Sequence, residues 1–441
     1  MKALIIAAGE GSRLGSLTKD EPKPLIKLLG LSLIERVILT AREAGIVEFI
    51  IVTGFMGEKL KEKLGNGDNY GVNITYIENK EWQGGNGTSV LAAKRALNED
   101  FVLLMADHIF EAKILNGLKE VKLKNKECLL AIDKTPKEYI DLDDATKVNV
   151  ENGRIMDIGK KIENHSGLDC GIFLLSPSIF EALKKSIKEG NQALSGGIRI
   201  LARNKMMKCF DIRDAFWFDI DTKSSYKKAE KILLKQLIKP RDGPVSRFLN
   251  RPVSLRISKL LVKTKVRPNL ISFASFLICV FSAFFFSRGN YFSLVIGGLL
   301  AQFSSIVDGC DGEVARLKFQ ESDYGAWFDA VLDRYADAFL LFGLTYHVYS
   351  LSGNHLSLLI GFMAILGTFM NSYTADKYDG FMKRKLGTRG HYFRMGRDVR
   401  MFIIFIGALI NQPLLILVII AILMNIENIR RAVVLNKRCY A

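Results

Sequence analysis

The chain changes character near its middle. From Met1 to about Lys239, short apolar runs of strand length are separated by charged, helix-patterned segments. Beyond about Asn269, apolar residues continue for the length of a bilayer crossing. In the first part, Ala3–Ala7, Phe49–Phe55, Asn73–Asn79 and Phe101–Asp107 read as buried strands, with Leu33–Ala44 and Thr88–Leu97 as helices between them. That alternation predicts an N-terminal α/β, Rossmann-like domain over residues 1–228 with a mostly parallel sheet. Its ligands are expected at the carboxyl ends of the strands. In the second part the candidate spans are Leu270–Ser287, Tyr291–Val307, Ala326–Tyr346 and His355–Thr374. A further apolar run, Met401–Met424, is interrupted by "NQP" at Asn411–Pro413. It is either one span or two turning at Pro413, the first beginning near Tyr392.

Charge refines this picture. The 441 residues carry a net charge of +16, a balance that raises the question of nucleic acid. The cations, however, cluster beside the apolar runs, in "RPVSLRISKLLVKTKVRP", in "DKYDGFMKRKLGTRGHYFRMGRDVR" and in the tail "NIRRAVVLNKR". This placement fits anionic lipid and a cytoplasmic face, not nucleic acid. Placing all three segments on one side needs an even number of crossings. The expectation is therefore a C-terminal all-α membrane domain (residues 267–441) with six transmembrane helices and both termini cytoplasmic. Residues 229–266 read as a basic linker with a juxtamembrane amphipathic helix, Val253–Val262. The N-terminus has too short an apolar run for a signal sequence, so the first domain is expected in the cytoplasm. Six scattered cysteines without a C-x-x-C pair fit reduced, structural thiols.

Acidic residues stand where the spans meet the cytoplasmic side. A charge at the bilayer centre costs roughly 2.5–3.5 kcal/mol, so carboxylates there need a compensating partner. Asp308 and Asp311 are three apart, Asp329 and Asp333 four apart; on helices each pair shares a face. Two such pairs can converge on a divalent cation, which prefers oxygen ligands. Gly312, Ala315 and Gly325 leave room for a ligand, and Arg316 can neutralise phosphate. Asp308-x-x-Asp311-Gly312-x-x-Ala315-Arg316, then Gly325, Asp329 and Asp333, resembles the complete motif of the CDP-alcohol phosphotransferase family. The resemblance implies a six-helix membrane fold that displaces CMP from a CDP-linked donor with Mg²⁺ or Mn²⁺. Carried over, Asp308, Asp311 and Asp329 would ligate metal, and Asp333, near the same metal, would be the general base. Gly312 and Ala315 would admit the cytidine, and Arg316 would meet the diphosphate. Arg389, Arg394, Arg397 and Arg400 precede the fifth span. They suit lipid headgroups, or, for Arg397 and Arg400, a phosphate on the acceptor.

In the first domain, Gly9-x-Gly11 after a strand is followed by Arg13 and by Lys23 between prolines. Glycines let backbone N–H groups approach phosphate and the cations neutralise it, which suits a triphosphate. Asp107, and Asp219 or Asp221 alternating along a strand in "WFDID", are candidate metal ligands. With "MADHIF", "GRIMDIGKKI" and "LDCGIFLLSP", these elements resemble the nucleotidyltransferases that activate sugar phosphates. That resemblance implies that Arg13 and Lys23 hold an NTP, and that Mg²⁺ sits at Asp107 with Asp219 or Asp221. It further implies that "QGGNGTS" (Gln83, Gly87, Thr88) frames the base, and that Lys147, Lys160 and Asp169 face the polyol phosphate.

The two halves together resemble a family of bifunctional enzymes that make and then consume one CDP-alcohol. The implied chemistry is CTP plus inositol 1-phosphate giving CDP-inositol, then attack by a second inositol 1-phosphate with release of CMP. A lipid donor or acceptor would instead make the chain a phospholipid synthase, and a non-catalytic first domain would make it a nucleotide-binding module. A homodimer is compatible with all three.

Overall fold

The computed structural model describes residues 1–124, 126–240, 242–386 and 396–439. Arg389, Arg394 and Tyr392 lie outside the described residues. The chain divides into two compact units, Met1–Leu233 and Leu234–Ala441.

The first unit is built on nine strands: β1 (Lys2–Ala7), β2 (Glu48–Thr53), β3 (Asn73–Glu78), β4 (Phe101–Met105), β5 (Cys128–Asp133), β6 (Lys147–Glu151), β7 (Arg154–Gly159), β8 (Gly167–Leu175) and β9 (Met207–Asp211). Their order in the sheet is β3-β2-β1-β4-β8-β5-β9-β7-β6. The first four strands are parallel, as the alternation with helices predicts. The expectation of a mostly parallel sheet fails beyond them. β8 runs antiparallel to β4 and β5, and β6 pairs antiparallel with β7. The β6–β7 reversal has a local cause: Asn152 (φ 50°) and Gly153 (φ 73°) both adopt the left-handed backbone that a two-residue hairpin requires. The predicted helix Thr88–Leu97 is an α-helix over Asn86–Ala92 that tightens to a 3₁₀ turn at Ala93–Ala96. Helix Leu33–Glu43 begins with a capping box, Ser32 N–H donating to Glu35 Oε2 at 2.6 Å and Glu35 N–H to Ser32 Oγ at 3.4 Å.

The second unit is helical. A helix α1 (Arg251–Leu261) precedes six longer ones: α2 (Pro268–Phe286), α3 (Tyr291–Lys318), α4 (Asp323–Ser352), α5 (Leu356–Leu386), α6 (Arg397–Leu409) and α7 (Pro413–Cys439). Among the described residues, four stretches are long and apolar enough to cross a bilayer: Pro268–Phe286, Tyr291–Lys318, Leu356–Ala375 and Pro413–Val434. The expected span Ala326–Tyr346 lies in α4, whose first half carries Asp329, Asp333, Arg334 and Asp337. The run Met401–Met424 is two helices, broken where Asn411 turns left-handed (φ 55°) and Pro413 opens α7. The helices enclose a core of Cys279, Phe286, Leu294, Ala301, Leu340, Leu344, Ile404 and Leu417, whereas Phe281, Phe292, Phe342 and Leu359 point outward.

Helix α1 covers the expected amphipathic segment, and both polar and apolar residues of it face the bundle: Ile257 and Leu261 pack beside Ile271, Cys310 and Val314. Ser254 and Ser258 are buried and donate to Glu313 at 2.6 and 2.7 Å, and Arg251 pairs with Glu313 at 2.5 Å. Val253 and Leu260 stay exposed, as does Phe248 just before the helix. A fully buried glutamate on α3 needs these donors, so Arg251, Ser254 and Ser258 fix the helix alongside the apolar contacts of Ile257 and Leu261.

Candidate active sites

In the first unit the predicted phosphate loop, the ends of β1 and β4 and the segment after Trp217–Asp219 converge. Gly9, Gly11, Arg13, Lys23, Asp107 and Asp221 line one cavity of about 290 Å³. Lys23 Nζ donates to Asp107 Oδ2 and Asp221 Oδ1, each at 2.5 Å. Arg13 reaches Asp221 at 2.8 Å and Asp144 at 2.7 Å. Burial opposes charge on Lys23, yet Asp107 and Asp221 outweigh it and hold the ammonium above its usual range. Asp107 is pushed the other way: burial would raise it, but Lys23 and His108 keep it ionised well below the ordinary carboxylate range. Gly11 is in the left-handed region (φ 71°), and a Cβ there would lie 2.5 Å from Lys23 Cβ. Lys23 can therefore pass this loop only beside glycine.

Asp219 and Asp221 do not share a strand. The strand ends at Asp219, which pairs across to His108, while Asp221 follows it and meets Lys23. Thr222 and Ser225 then cap the next helix: Ser225 N–H donates to Thr222 Oγ1 at 3.1 Å, and Asp221 N–H to Ser225 Oγ at 3.0 Å. Two carboxylates around one cationic atom are a donor set that suits a divalent ion, and Asp107 and Asp221 are the pair that would hold it.

Lys147, Lys160 and Asp169 come to one end of the sheet. Lys147 lies opposite Gly159 on β7 and opposite Leu168 on β8, placing it beside both Lys160 and Asp169. Asp169 Oδ1 accepts from Gly171 N–H at 2.7 Å, and burial pushes its carboxyl up to about 6. Asp144, which sequence reading passes over, pairs with both Lys160 and Arg13 and so ties this group to the phosphate loop. Gln83, Gly87 and Thr88 do not line the cavity. Thr88 Oγ1 donates to Gly85 O at 2.8 Å within the loop, and Gly87 N–H to Gln192 O at 3.0 Å, which ties the loop to a distant segment; Gln83 is exposed.

In the second unit, α3 and α4 bring the aspartates together. One carboxylate oxygen each from Asp308, Asp329 and Asp333 lies within 4.8 Å of the others. Oxygens at about 2.0–2.6 Å from one divalent ion lie at most roughly 4–5 Å apart, so the three are close enough to share a cation. Asp311, one turn from Asp308, accepts from Ser272 Oγ at 2.5 Å and lies within hydrogen-bonding reach of Asp329. Asp308, Asp311, Gly312, Ala315, Arg316, Gly325 and Asp329 all line a cavity of about 550 Å³. Asp333 lies outside that lining. It pairs with Arg397, which also contacts Asp308 at 2.9 Å and Asp337 at 3.4 Å. Arg397 Nε and Nη1 are buried without aligned hydrogen bonds, so these contacts are held by charge. Arg400 is buried and taken up by Asp337 at 2.6 Å. Asp337 and Glu313 have little signal in the sequence because each acts through a partner distant along the chain, Arg400 and Arg251 respectively. The one signal was spacing: Asp337 continues the Asp329, Asp333 row by another helical turn.

The comparisons follow this division. The family model described as Nucleotidyl transferase matches residues 2–236, and that described as CDP-alcohol phosphatidyltransferase matches 265–426. A protein of Rubrobacter xylanophilus named "Bifunctional IPC transferase and DIPP synthase" is 35% identical over 445 residues, covering 99% of this chain and 96% of its own. The chain belongs to this bifunctional family. The Aquifex aeolicus member, of the same name, is 36% identical, covering 97% of this chain and 96% of its own. The inositol-1-phosphate CTP transferase structure from T. maritima aligns at 26% identity and a TM-score of 0.48, covering 52% of this chain and 94% of that one. The chain is thus an enzyme with a nucleotidyltransferase domain and a membrane-associated CDP-alcohol phosphotransferase domain.

Proposed function

We propose that this chain makes CDP-inositol from CTP and inositol 1-phosphate, then transfers the inositol-phosphate group to a second inositol 1-phosphate, releasing CMP. The observation that carries this reading is the match across the whole chain, at 35% and 36% identity, to proteins named for both activities. The geometry supports it at each site. In the first, Arg13 and Lys23 bind the triphosphate and offset charge that builds up as pyrophosphate departs. Lys147, Lys160 and Asp169 orient the attacking phosphate. In the second, Asp333 receives the acceptor hydroxyl's proton, and the small Gly312 and Ala315 leave space beside Arg316 for the donor. Asp107 and Asp221 in the first site, and Asp308, Asp311 and Asp329 with Asp333 beside them in the second, would hold divalent cations that supply charge neutralisation and positioning when bound. Loop charge supports six crossings with both sites cytoplasmic.

The test supplies the full chain with CTP, Mg²⁺ and labelled inositol 1-phosphate. Stepwise release of pyrophosphate and CMP, with a water-soluble di-inositol product, is expected. Product that partitions into organic solvent would show a lipid acceptor and overturn the second step.

A further inference from the structure

The cavity that carries the aspartates also carries three cations, Lys239, Arg251 and Arg316. Among the described residues, one of the three is fully answered. Arg251 pairs with Asp242 at 2.8 Å and Glu313 at 2.5 Å. Arg316 stands 3.9 Å from Glu321, and its buried Nε has no hydrogen-bond partner. Lys239 makes no ion pair within 4.0 Å among the described residues, although Glu321 and Asp323 line the same cavity. Lys239 is solvent-exposed at the cavity's edge, and partial desolvation, then Arg316 and Arg251, pull its ammonium below the usual lysine range. Lys239 and Arg316 repel each other in a cavity that also carries Glu321, Asp323 and the motif aspartates, and a phosphate placed between the two cations relieves that repulsion.

We propose that Lys239, with Arg316, holds the phosphate of the departing nucleotide in the transfer reaction. The residue lies outside the aspartate motif and comes from the segment ahead of the membrane helices. This rests on the function proposed above. In that step the acceptor hydroxyl oxygen bonds to the inositol-linked phosphorus, and its proton passes to Asp333. The bond from that phosphorus to the bridging oxygen breaks, and the electron pair stays on the CMP phosphate. That phosphate gains a negative charge as it leaves, which an ammonium and a guanidinium at its side stabilise. A phospholipid headgroup has the same phosphate chemistry, so the assay is run both in neutral detergent and in vesicles with anionic lipid.

The experiment gives full-length protein CDP-inositol and inositol 1-phosphate and follows CMP release and its inhibition by CMP. Lys239→Met is expected to raise the CMP inhibition constant and the KM for CDP-inositol by about tenfold, the scale of a lost charge-assisted contact. Lys239→Arg should stay within about twofold of wild type by the same measure. Pyrophosphate release from CTP should not change. Lys239→Gln gives a second neutral side chain should the methionine variant fail to fold. CMP inhibition unchanged in both neutral variants overturns the proposal, as does a rise confined to the KM for inositol 1-phosphate. An effect seen only with anionic vesicles assigns Lys239 to lipid and overturns it too. Wild-type protein that releases no CMP from CDP-inositol overturns the proposed function itself, and this assignment with it.

Discussion

Lys23 shows how a single side chain organises a site: its ammonium joins Asp107 to Asp221, and Gly11 leaves the gap through which it passes. Gly11→Ala would force Lys23 aside and strain a left-handed backbone. Pyrophosphate release is expected to fall on the order of a hundredfold, the cost of misplacing a reacting group by about 1 Å. Asp169 gives a prediction in pH. Burial raises its carboxyl to about 6 from the ordinary 3.8, so the folded state disfavours its charge. Below the ordinary value it is neutral folded and unfolded alike, and the associated stability is lost as pH rises through about 6. Asp169→Asn should therefore raise the unfolding temperature of the first domain at pH 8 and leave it unchanged at pH 4, read by tryptophan fluorescence. Arg13, Lys23 and Asp107 were legible in sequence because glycine spacing and strand ends announce them. Asp144 was not, since its contact with Arg13 joins positions 131 apart and has no periodic signature.

Helices of the second unit meet through small residues and through the buried acids Glu313 and Asp337. A Cβ on Gly343 would lie 2.6 Å from the carbonyl oxygen of Ala283, which marks a close crossing of α2 and α4. Gly343→Val is expected to destabilise by about 1–3 kcal/mol through overpacking, seen as a lower unfolding temperature in detergent. Glu313→Ala should cost more, about 3–5 kcal/mol, because Arg251, Ser254 and Ser258 lose the carboxylate that α1 docks upon. Apolar run length foretold α2, α3 and α5 well. It could not tell that polar residues of α1 also turn inward, since an amphipathic pattern is the same whether the partner is lipid or a buried glutamate. The break at Asn411–Pro413 was visible as a proline after polar residues, although only the left-handed turn at Asn411 makes it two helices.

At the scale of the whole chain, the two units carry separate chemistries linked by one proposed intermediate. Asp333→Asn is expected to abolish CMP release, by at least about a hundredfold for loss of a general base, while pyrophosphate release continues and CDP-inositol accumulates. Asp107→Asn should stop the first reaction, with added CDP-inositol restoring CMP release; mass spectrometry of the products checks both. The order of domains and the type of each were readable from where the apolar runs lengthen. The mixed half of the sheet was not: strand composition does not announce direction, and only the β6–β7 reversal has a local signal, the Asn152–Gly153 hairpin. Arg397 adds a consequence for biogenesis. Its guanidinium already balances Asp308 and Asp333 inside the bundle, so a newly inserted chain can fold its acidic helices together before the first ion is captured. Chelator present during synthesis should then leave the yield of inserted protein intact, whereas loss of the Arg397 side chain should send the nascent chain to quality-control proteolysis.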